Sequence, residues 1–169
     1  MVFVKTNPMS VLKKILLFIL IIVSLSFADD KVNLIGIWQD APEIASGWSD
    51  TYQIFPDGTF KFNYNQMKCD KQVISFMGNW KTDDSGTLIL SIDQKVIVEG
   101  GTLVPSTGSC ASEYEIEGGT IKTIWPDSIE IKEFKLSQYH IDTENNDLET
   151  IRIGDKQFWK MEKDPSGYK

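Results

Sequence analysis

Apolar and polar residues alternate along most of this chain. In residues 59–65 the aromatic residues Phe60, Phe62 and Tyr64 alternate with polar ones, and Leu88 and Leu90 recur with the same period. A period of two is typical of a β-strand with one buried face. After the first 29 residues no stretch keeps apolar residues at helical spacing for ten positions, so the pattern predicts an all-β fold. A single helical turn is expected around residues 41–47.

Clusters of Gly, Pro, Asp and Asn separate the predicted strands. Strands joined by short turns form hairpins, and successive hairpins form an antiparallel meander. About ten strands in one domain remove their exposed edges by closing into a barrel. We therefore expect a β-barrel, with a two-sheet β-sandwich as the alternative, since periodicity does not separate the two. The turn clusters lie at residues 56–58, 83–86, 99–101, 117–119, 126–128, 143–147 and 153–155.

One predicted strand changes phase. Ile129 and Ile131 share a face, whereas Phe134 and Leu136 fall one residue late. An extra residue at positions 132–133, a β-bulge, would return all four side chains to one face and would bend the strand.

The N-terminus has the features of a cleaved leader. Lys13 and Lys14 precede an apolar run at residues 15–27, and Ser26 and Ala28 form the small-residue pattern that a signal peptidase recognises. The run is shorter than the about 20 residues that cross a bilayer as a helix. A permanent membrane span is therefore not expected.

The sequence thus predicts a signal peptide at residues 1–28 and a single domain at residues 29–169. Translation starting at either Met1 or Met9 would give a complete signal peptide. The expected location is secreted or periplasmic.

Loss of the leader makes the chain more acidic. Three of the 17 basic residues and none of the 24 acidic ones lie in the leader, which leaves 14 against 24 and changes the net charge from −7 to −10. A surface of this sign repels nucleic acids and anionic membranes, so neither is expected as a partner.

Both cysteines, Cys69 and Cys110, lie in the predicted mature chain. Two cysteines in an exported protein indicate one disulfide. Closing a loop of about 40 residues would stabilise the fold by about 4 kcal/mol, because it removes entropy from the unfolded chain.

The sequence offers little catalytic chemistry. His140 is the single histidine and lies on the opposite strand face from Tyr139 and Ile141, which predicts exposure to solvent. Hydrolytic triads and most zinc sites need such a histidine. Residues 142–149 begin like a calcium loop, but Asp147 stands where the EF-hand pattern needs Gly. We therefore expect neither an enzyme, nor a metal site, nor a cofactor.

All five tryptophans follow the predicted leader. In a small barrel, aromatic side chains either fill the interior or line a cavity that holds a ligand, and a barrel of about eight strands is of the size at which both occur. Both alternatives stay open on the sequence, with a packed core favoured.

The stretch KVNLIGIWQD places Asn33, Gly36 and Trp38 at the start of the first predicted strand. This motif resembles the signature of the lipocalin (calycin) superfamily, and FPDGTFKF followed by GNWK resembles bacterial lipocalin-like domains. The resemblance implies that Gly36 lets the strand bend over a barrel floor and that Trp38 packs beneath a cavity. It also implies an arginine on a late strand stacked on the tryptophan by a cation–π contact, and Arg152 lies where that residue is expected.

Two hypotheses on function follow. The first is an exported lipocalin-like protein that binds a small, largely apolar ligand in a barrel cavity, with Gly36, Trp38 and Arg152 in structural roles. The alternative is a filled barrel that binds a protein partner, as an inhibitor or an envelope assembly factor, through the disulfide-tied loops at residues 67–73 and 105–111. The inward-facing candidates for ligand contact are Phe60, Phe62, Tyr64, Trp80, Leu88 and Leu90.

Overall fold

The computed structural model describes residues 32–108 and 110–167. The predicted signal peptide, its cleavage point and both candidate start methionines lie outside the described residues. Among the described residues, no helix has the length and apolar character needed to cross a membrane.

The described part of the chain forms eleven β-strands and two short 3-10 helices. The helices lie at Ser46–Trp48, overlapping the predicted helical turn, and at Pro165–Gly167. The strands are β1 (Gly36–Gln39), β2 (Thr51–Ile54), β3 (Thr59–Asn63), β4 (Val73–Thr82), β5 (Thr87–Glu99), β6 (Thr102–Pro105), β7 (Tyr114–Glu117), β8 (Thr120–Ile124), β9 (Glu130–Asp142), β10 (Leu148–Ile153) and β11 (Lys156–Glu162).

Eight strands close into an antiparallel barrel. Around the barrel the order is β1, β2, β3, β4, β5, β9, β10 and β11, and β11 pairs with β1 to complete the ring. Every neighbour in this order is also the next barrel strand along the chain. The prediction of an all-β fold closed as a meander is therefore confirmed, and the sandwich alternative is wrong.

Strands β6, β7 and β8 are inserted between the fifth and sixth barrel strands. Residues 87–92 of β5 pair with β9, whereas residues 95–99 extend beyond them and pair with β8. β6 and β7 form a separate hairpin. We call the barrel end with residues 40–50, residues 64–72 and this insertion the mouth, and the opposite end, with the turns at residues 55–58 and 83–86, the closed end.

The sequence triplet G-x-W occurs twice, and both glycines lie where a neighbouring strand passes very close. A Cβ atom on Gly36 would lie 2.5 Å from the carbonyl oxygen of Glu162. A Cβ atom on Gly78 would lie 2.0 Å from the carbonyl oxygen of Ser91. Any side chain at either position would push two paired strands apart, which explains why glycine interrupts an otherwise regular strand.

Both tryptophans of these triplets bond to the backbone at the closed end. Trp38 is fully buried and donates its Nε1–H to the carbonyl oxygen of Leu34 at 2.8 Å. Trp80 is half-buried and donates to the carbonyl oxygen of Phe55 at 3.0 Å. The indole rings thus fix the chain segments that cover this end of the barrel.

The predicted stacking of Arg152 on Trp38 is wrong. Arg152 lies between Ile151 and Ile153 on β10, and because both isoleucines are buried in the barrel, the guanidinium points to the outside. There its Nη2 and Nε atoms donate to the carbonyl oxygen of Asp155 at 2.7 Å and 3.1 Å.

Lys160 occupies the place that the resemblance assigned to an arginine. It lies opposite Trp38 across the β1–β11 ladder, and its Nζ atom is 4.8 Å from the centroid of a Trp38 ring. The same ammonium group is 2.8 Å from Glu149 Oε2. The cation of the closed end therefore comes from the last strand.

The β-bulge predicted at residues 132–133 is also wrong. β9 pairs with β5 without interruption from Glu130 to Lys135. Ile129 and Ile131 consequently stay outside the barrel, 63% and 53% exposed. The rule that apolar residues of a strand face the core fails here, because Ile129 and Ile131 face solvent.

The bulge in β9 lies further along the strand. Gln138 has a φ angle of +54°, and the register between β9 and β10 shifts at this point. Before the bulge, the even-numbered residues Glu130 and Lys132 share the inward face with Phe134. Two charged side chains therefore enter the mouth of the barrel, where Glu130 contacts both Lys132 and Lys95 of β5.

Candidate ligand-binding site at the barrel mouth

The six predicted ligand-lining residues lie in three different environments. Trp80 is half-buried at the closed end, and Tyr64 is half-buried at the mouth. The other four are at most 5% exposed and belong to the packed core: Phe60, Phe62, Leu88 and Leu90. Contact between these six residues and a ligand stays a prediction.

Five aromatic rings continue from the core to the mouth. Their neighbouring centroids are 4.5–5.2 Å apart, a separation typical of packed aromatic pairs. Tyr64 is the most exposed of the five, and it packs edge-on against Phe62. The barrel interior is thus occupied by its own side chains up to the level of Tyr64. The five rings belong to Tyr52, Phe62, Tyr64, Phe76 and Phe158.

Tyr64 borders three clefts, and two of them contact the inserted strands β6–β8. The larger has a volume of about 540 Å³ and lies between residues 64–73 and the β6–β7 hairpin, from which Leu103 and Ile116 contribute. The smaller, about 310 Å³, lies beneath the disulfide and includes Ile74, Val98 and Ile121. Three residues border both clefts: Tyr64, Lys71 and Val73.

A disulfide holds the walls of these clefts together. Cys69 and Cys110 are bonded, which confirms the predicted pairing and joins the β3–β4 loop to the loop of the inserted hairpin. Backbone bonds reinforce the contact, since Ala111 N donates to Met67 O at 2.7 Å and Ile116 N donates to Cys69 O at 3.1 Å. The hairpin is thereby fixed over the mouth.

Charged side chains surround the outermost rings. Glu130 binds Lys95, and Lys132 Nζ lies 3.5 Å from Glu130 and 4.7 Å from the centroid of Phe76. The hydrogen bond from Lys95 holds the pKa of Glu130 below its usual range. Glu130 is therefore ionised at neutral pH and is already bound by two lysines.

The environment of Tyr64 keeps its hydroxyl protonated. Burial raises the pKa of Tyr64, and the negative charges of Asp50 and Glu130 raise it further. At neutral pH the ring therefore presents a neutral, half-buried surface to both clefts, one that suits an apolar ligand.

A second charge cluster ties three loops together at the mouth. Lys156, at the start of β11, binds both Asp40 and Asp50, with 2.6 Å between its Nζ atom and Asp50 Oδ2. Asp50 also accepts a hydrogen bond from Asn65 N at 2.8 Å, and Asp40 accepts one from Ser49 Oγ at 2.6 Å. The cluster positions the β3–β4 loop, which carries Tyr64 and Lys71.

This cluster should make the stability of the barrel depend on pH. Burial by itself raises the pKa of Asp50, but the bonds from Lys156 and Asn65 N outweigh it, so the pKa is lowered in the folded protein. A lowered pKa contributes stability that is present above the unfolded value of about 3.9 and is lost as the pH falls through the folded value. The wild type should lose unfolding free energy as the pH is lowered from 5 to 2. Asp50→Asn should lose about 1 kcal/mol less over the same range, measured by urea unfolding.

The exposed carboxylate variant Asp127→Asn serves as the control for this measurement and should follow the wild type. If Asp50→Asn also followed the wild type over that pH range, the lowered pKa would be refuted.

Lys156 makes the stability depend on pH in the opposite direction at the alkaline end. Burial lowers the pKa of Lys156, but its bonds to Asp40 and Asp50 raise it overall, so this contribution is lost only as the pH rises above about 10.5.

Sequence reasoning missed most of the residues that border the clefts. Leu103 and Ile116 lie on two strands of four residues each, too short to show a clear alternation, and Lys71 lies in a polar loop. The one usable signal was the pair of cysteines, since the loops they join include Lys71 and Val73. Those loops were predicted as the working surface of a protein-binding module.

His140 lies outside this site. It is exposed on β9, as predicted, and its ring nitrogen Nδ1 lies 3.0 Å from Thr150 Oγ1. Over residues 32–108 and 110–167, no three His, Cys, Asp or Glu side chains come together in a way that could hold a metal ion. The mouth combines apolar cleft walls with ammonium groups.

Comparisons with known protein families, with curated protein sequences and with solved structures gave no match for this chain.

Proposed function

We propose that this protein is an exported, lipocalin-like binding protein that holds a small, largely apolar molecule in the clefts at the barrel mouth. The closed eight-stranded antiparallel meander supports the family assignment. The disulfide supports export, because such bonds persist in oxidising compartments. The ligand position differs from the one expected from the sequence, since the barrel interior is packed.

One observation carries the proposal. Two clefts meet at Tyr64 and Val73, and their volumes of about 540 and 310 Å³ fall in the range of small-molecule sites. Their walls are mostly apolar, and the disulfide fixes the loops that form them. A preformed site of this kind loses little entropy when it binds, so the apolar area it buries contributes directly to affinity.

The test uses the neutral fluorescent probe phenylnaphthylamine. We expect saturable binding with one site, and we expect Val73→Arg to weaken it at least tenfold, because the new guanidinium would be buried against the apolar probe without a partner. Val73 is half-buried at the start of β4 and borders both clefts, so the substitution places the charge at the junction of the two.

The matched control is Ile129→Arg, which adds the same charge at an exposed position that borders neither cleft. It should bind the probe like the wild type. A probe that does not saturate, or that binds equally to the wild type and Val73→Arg, would refute a ligand site at the mouth.

A protein-binding role is the second candidate, and one observation favours it. Large apolar side chains are exposed on the connection between β8 and β9 and at the start of β9, with exposures of 53–69%. Exposed apolar patches are typical of protein–protein contact surfaces. These side chains are Trp125, Ile129 and Ile131.

A further inference from the structure

We propose that a second binding site lies on the outer wall of the barrel, over β2 and β3, and that it binds a carbohydrate. The site is a polar cleft with a volume of about 240 Å³. It differs in place and in chemistry from the apolar clefts at the mouth, so it stands independently of the proposed function.

Polar side chains from two paired strands form the floor of this outer cleft. The aromatic residues of β2 and β3 are buried inside the barrel, so the residues between them point outward. Thr51 lies opposite Asn63, and Gln53 lies opposite Lys61. All four border the cleft. The floor therefore presents a hydroxyl group, two amide groups and an ammonium group.

Residues from two loops turn this floor into a cleft. Gln66 N donates to the carbonyl oxygen of Gly47 at 2.9 Å, which joins the β3–β4 loop to the first 3-10 helix. A Cβ atom on Gly47 would lie 3.2 Å from Gln66 Oε1, so the Gln66 amide packs directly on the glycine. Tyr64 adds an aromatic wall. The outer face of an ordinary strand pair would be flat, whereas here a third amide and a ring stand beside the floor.

The hydrogen-bonding capacity of this cleft is largely unused by the protein. Gln53 Nε2 donates to the carbonyl oxygen of Pro165 at 3.3 Å, which fixes one amide. Within residues 32–108 and 110–167, the side chains of Lys61, Asn63 and Gln66 form no hydrogen bond or ion pair with another residue. Lys61 and Asn63 are also half-buried. The cleft thus offers two amides and one ammonium group to a ligand.

These groups match the hydroxyl groups of a sugar. A side-chain amide donates through its nitrogen and accepts through its oxygen, and a hydroxyl group can do both, so adjacent hydroxyls on one ring satisfy both ends of an amide. The ammonium group of Lys61 can donate to a further hydroxyl oxygen. The Tyr64 ring provides an apolar surface for the carbon atoms of the sugar ring.

Other ligand classes fit the outer cleft less well. An apolar molecule would remove water from the amides and the ammonium group without replacing their hydrogen bonds. An anion accepts hydrogen bonds but donates none, so the amide oxygens would be left without donors. A cation would be repelled by Lys61, and no carboxylate borders the cleft among the described residues. The volume lies below the about 300–1,000 Å³ of drug-sized sites, which suits a single sugar ring.

The experiment titrates ¹⁵N-labelled protein with the methyl α-glycosides of glucose, galactose, mannose and N-acetylglucosamine. With at least one of them we expect saturable shifts of the side-chain amide resonances of Asn63 and Gln66. The dissociation constant should be on the order of 1 mM, since few groups contact the sugar. Asn63→Leu should weaken this binding about fivefold, the effect of losing one hydrogen bond.

Asn79→Leu is the matched control. It makes the same substitution at an exposed position of β4 that borders none of the three clefts beside Tyr64, and it should bind the glycoside like the wild type. Asn63→Leu should still bind phenylnaphthylamine within twofold of the wild type, because Asn63 borders neither mouth cleft.

Three results would overturn the carbohydrate site. The first is that none of the four glycosides shifts the resonances of Asn63 and Gln66, and the second is that the wild type and Asn63→Leu bind a glycoside equally. The third is that sodium phosphate shifts these resonances and the glycosides do not, which would identify an anion site. Each of these results leaves the apolar site at the mouth standing, since phenylnaphthylamine binding tests that site separately.

Discussion

Replacing Cys69 and Cys110 together with serine is expected to lower the free energy of unfolding by about 4 kcal/mol. The two residues are separated by 41 positions, and opening a loop of this length returns entropy to the unfolded chain in about that amount. Because native domains are stabilised by only about 5–15 kcal/mol, the loss should be visible as a large shift of the urea or guanidinium midpoint.

Reduction provides the control for the disulfide. Wild-type protein in excess dithiothreitol should unfold at the midpoint of the double serine variant, and that variant should be indifferent to the reductant. A loss below about 1 kcal/mol would mean that the loops at the mouth are held by their backbone bonds alone. The same variants should bind phenylnaphthylamine more weakly, since the disulfide fixes both walls of the larger cleft.

The second large effect is expected at the closed end. Trp38→Ala should lower the free energy of unfolding by about 3–5 kcal/mol, the range for deleting a buried aromatic side chain. Trp38 is fully buried, and its loss would also leave the carbonyl oxygen of Leu34 without its donor and the ammonium group of Lys160 without the ring beneath it.

The matched substitution is Trp125→Ala. Trp125 is 69% exposed, so the same change there should cost less than about 0.5 kcal/mol in guanidinium unfolding. Similar losses at the two positions would contradict a structural role specific to Trp38. Probe binding should survive in Trp38→Ala wherever the protein remains folded, because the clefts lie at the opposite end of the barrel.

The architecture was accessible from the sequence because it depends on local pattern. Alternation at Phe60, Phe62, Leu88 and Leu90 is set by the two-residue period of a strand, and these residues are indeed the core. The disulfide followed from the number of cysteines and the compartment. Barrel closure followed from the need to remove edges, which applies to any long meander.

The errors concern residues whose face is set by partners far along the chain. The resemblance places Arg152 on Trp38, although the buried Ile151 and Ile153 on either side direct the Arg152 side chain to the outside. Glu130 faces inward because Lys95, from another strand, binds its carboxylate, and the neighbouring Lys132 contacts the same group. The local sequence pattern does not include Lys95. Alternation alone therefore assigns the apolar Ile129 and Ile131 to the inward face.

The site was the least predictable part. Its clefts are spaces between the β3–β4 loop and an inserted hairpin, and neither segment forms them alone. The junction of the two clefts at Tyr64 is a property of the folded arrangement and has no counterpart in the order of residues.

The pairing of β1 with β11 also determines the order in which the molecule assembles. Six pairs of consecutive barrel strands are joined directly by a turn or loop and can pair early, because their residues lie close in sequence. Trp38 meets Lys160 only after the two ends of the described chain have come together. Before β1 pairs with β11, both strands are open edges that can pair with another chain.

Cys69 and Cys110 lie between these edges, so their bond does not depend on the final step. Oxidation and barrel closure are therefore separate events. The disulfide can form before the ring closes, whereas the bonds of Lys156 to Asp40 and Asp50 cross the seam between β11 and β1 and form only with closure.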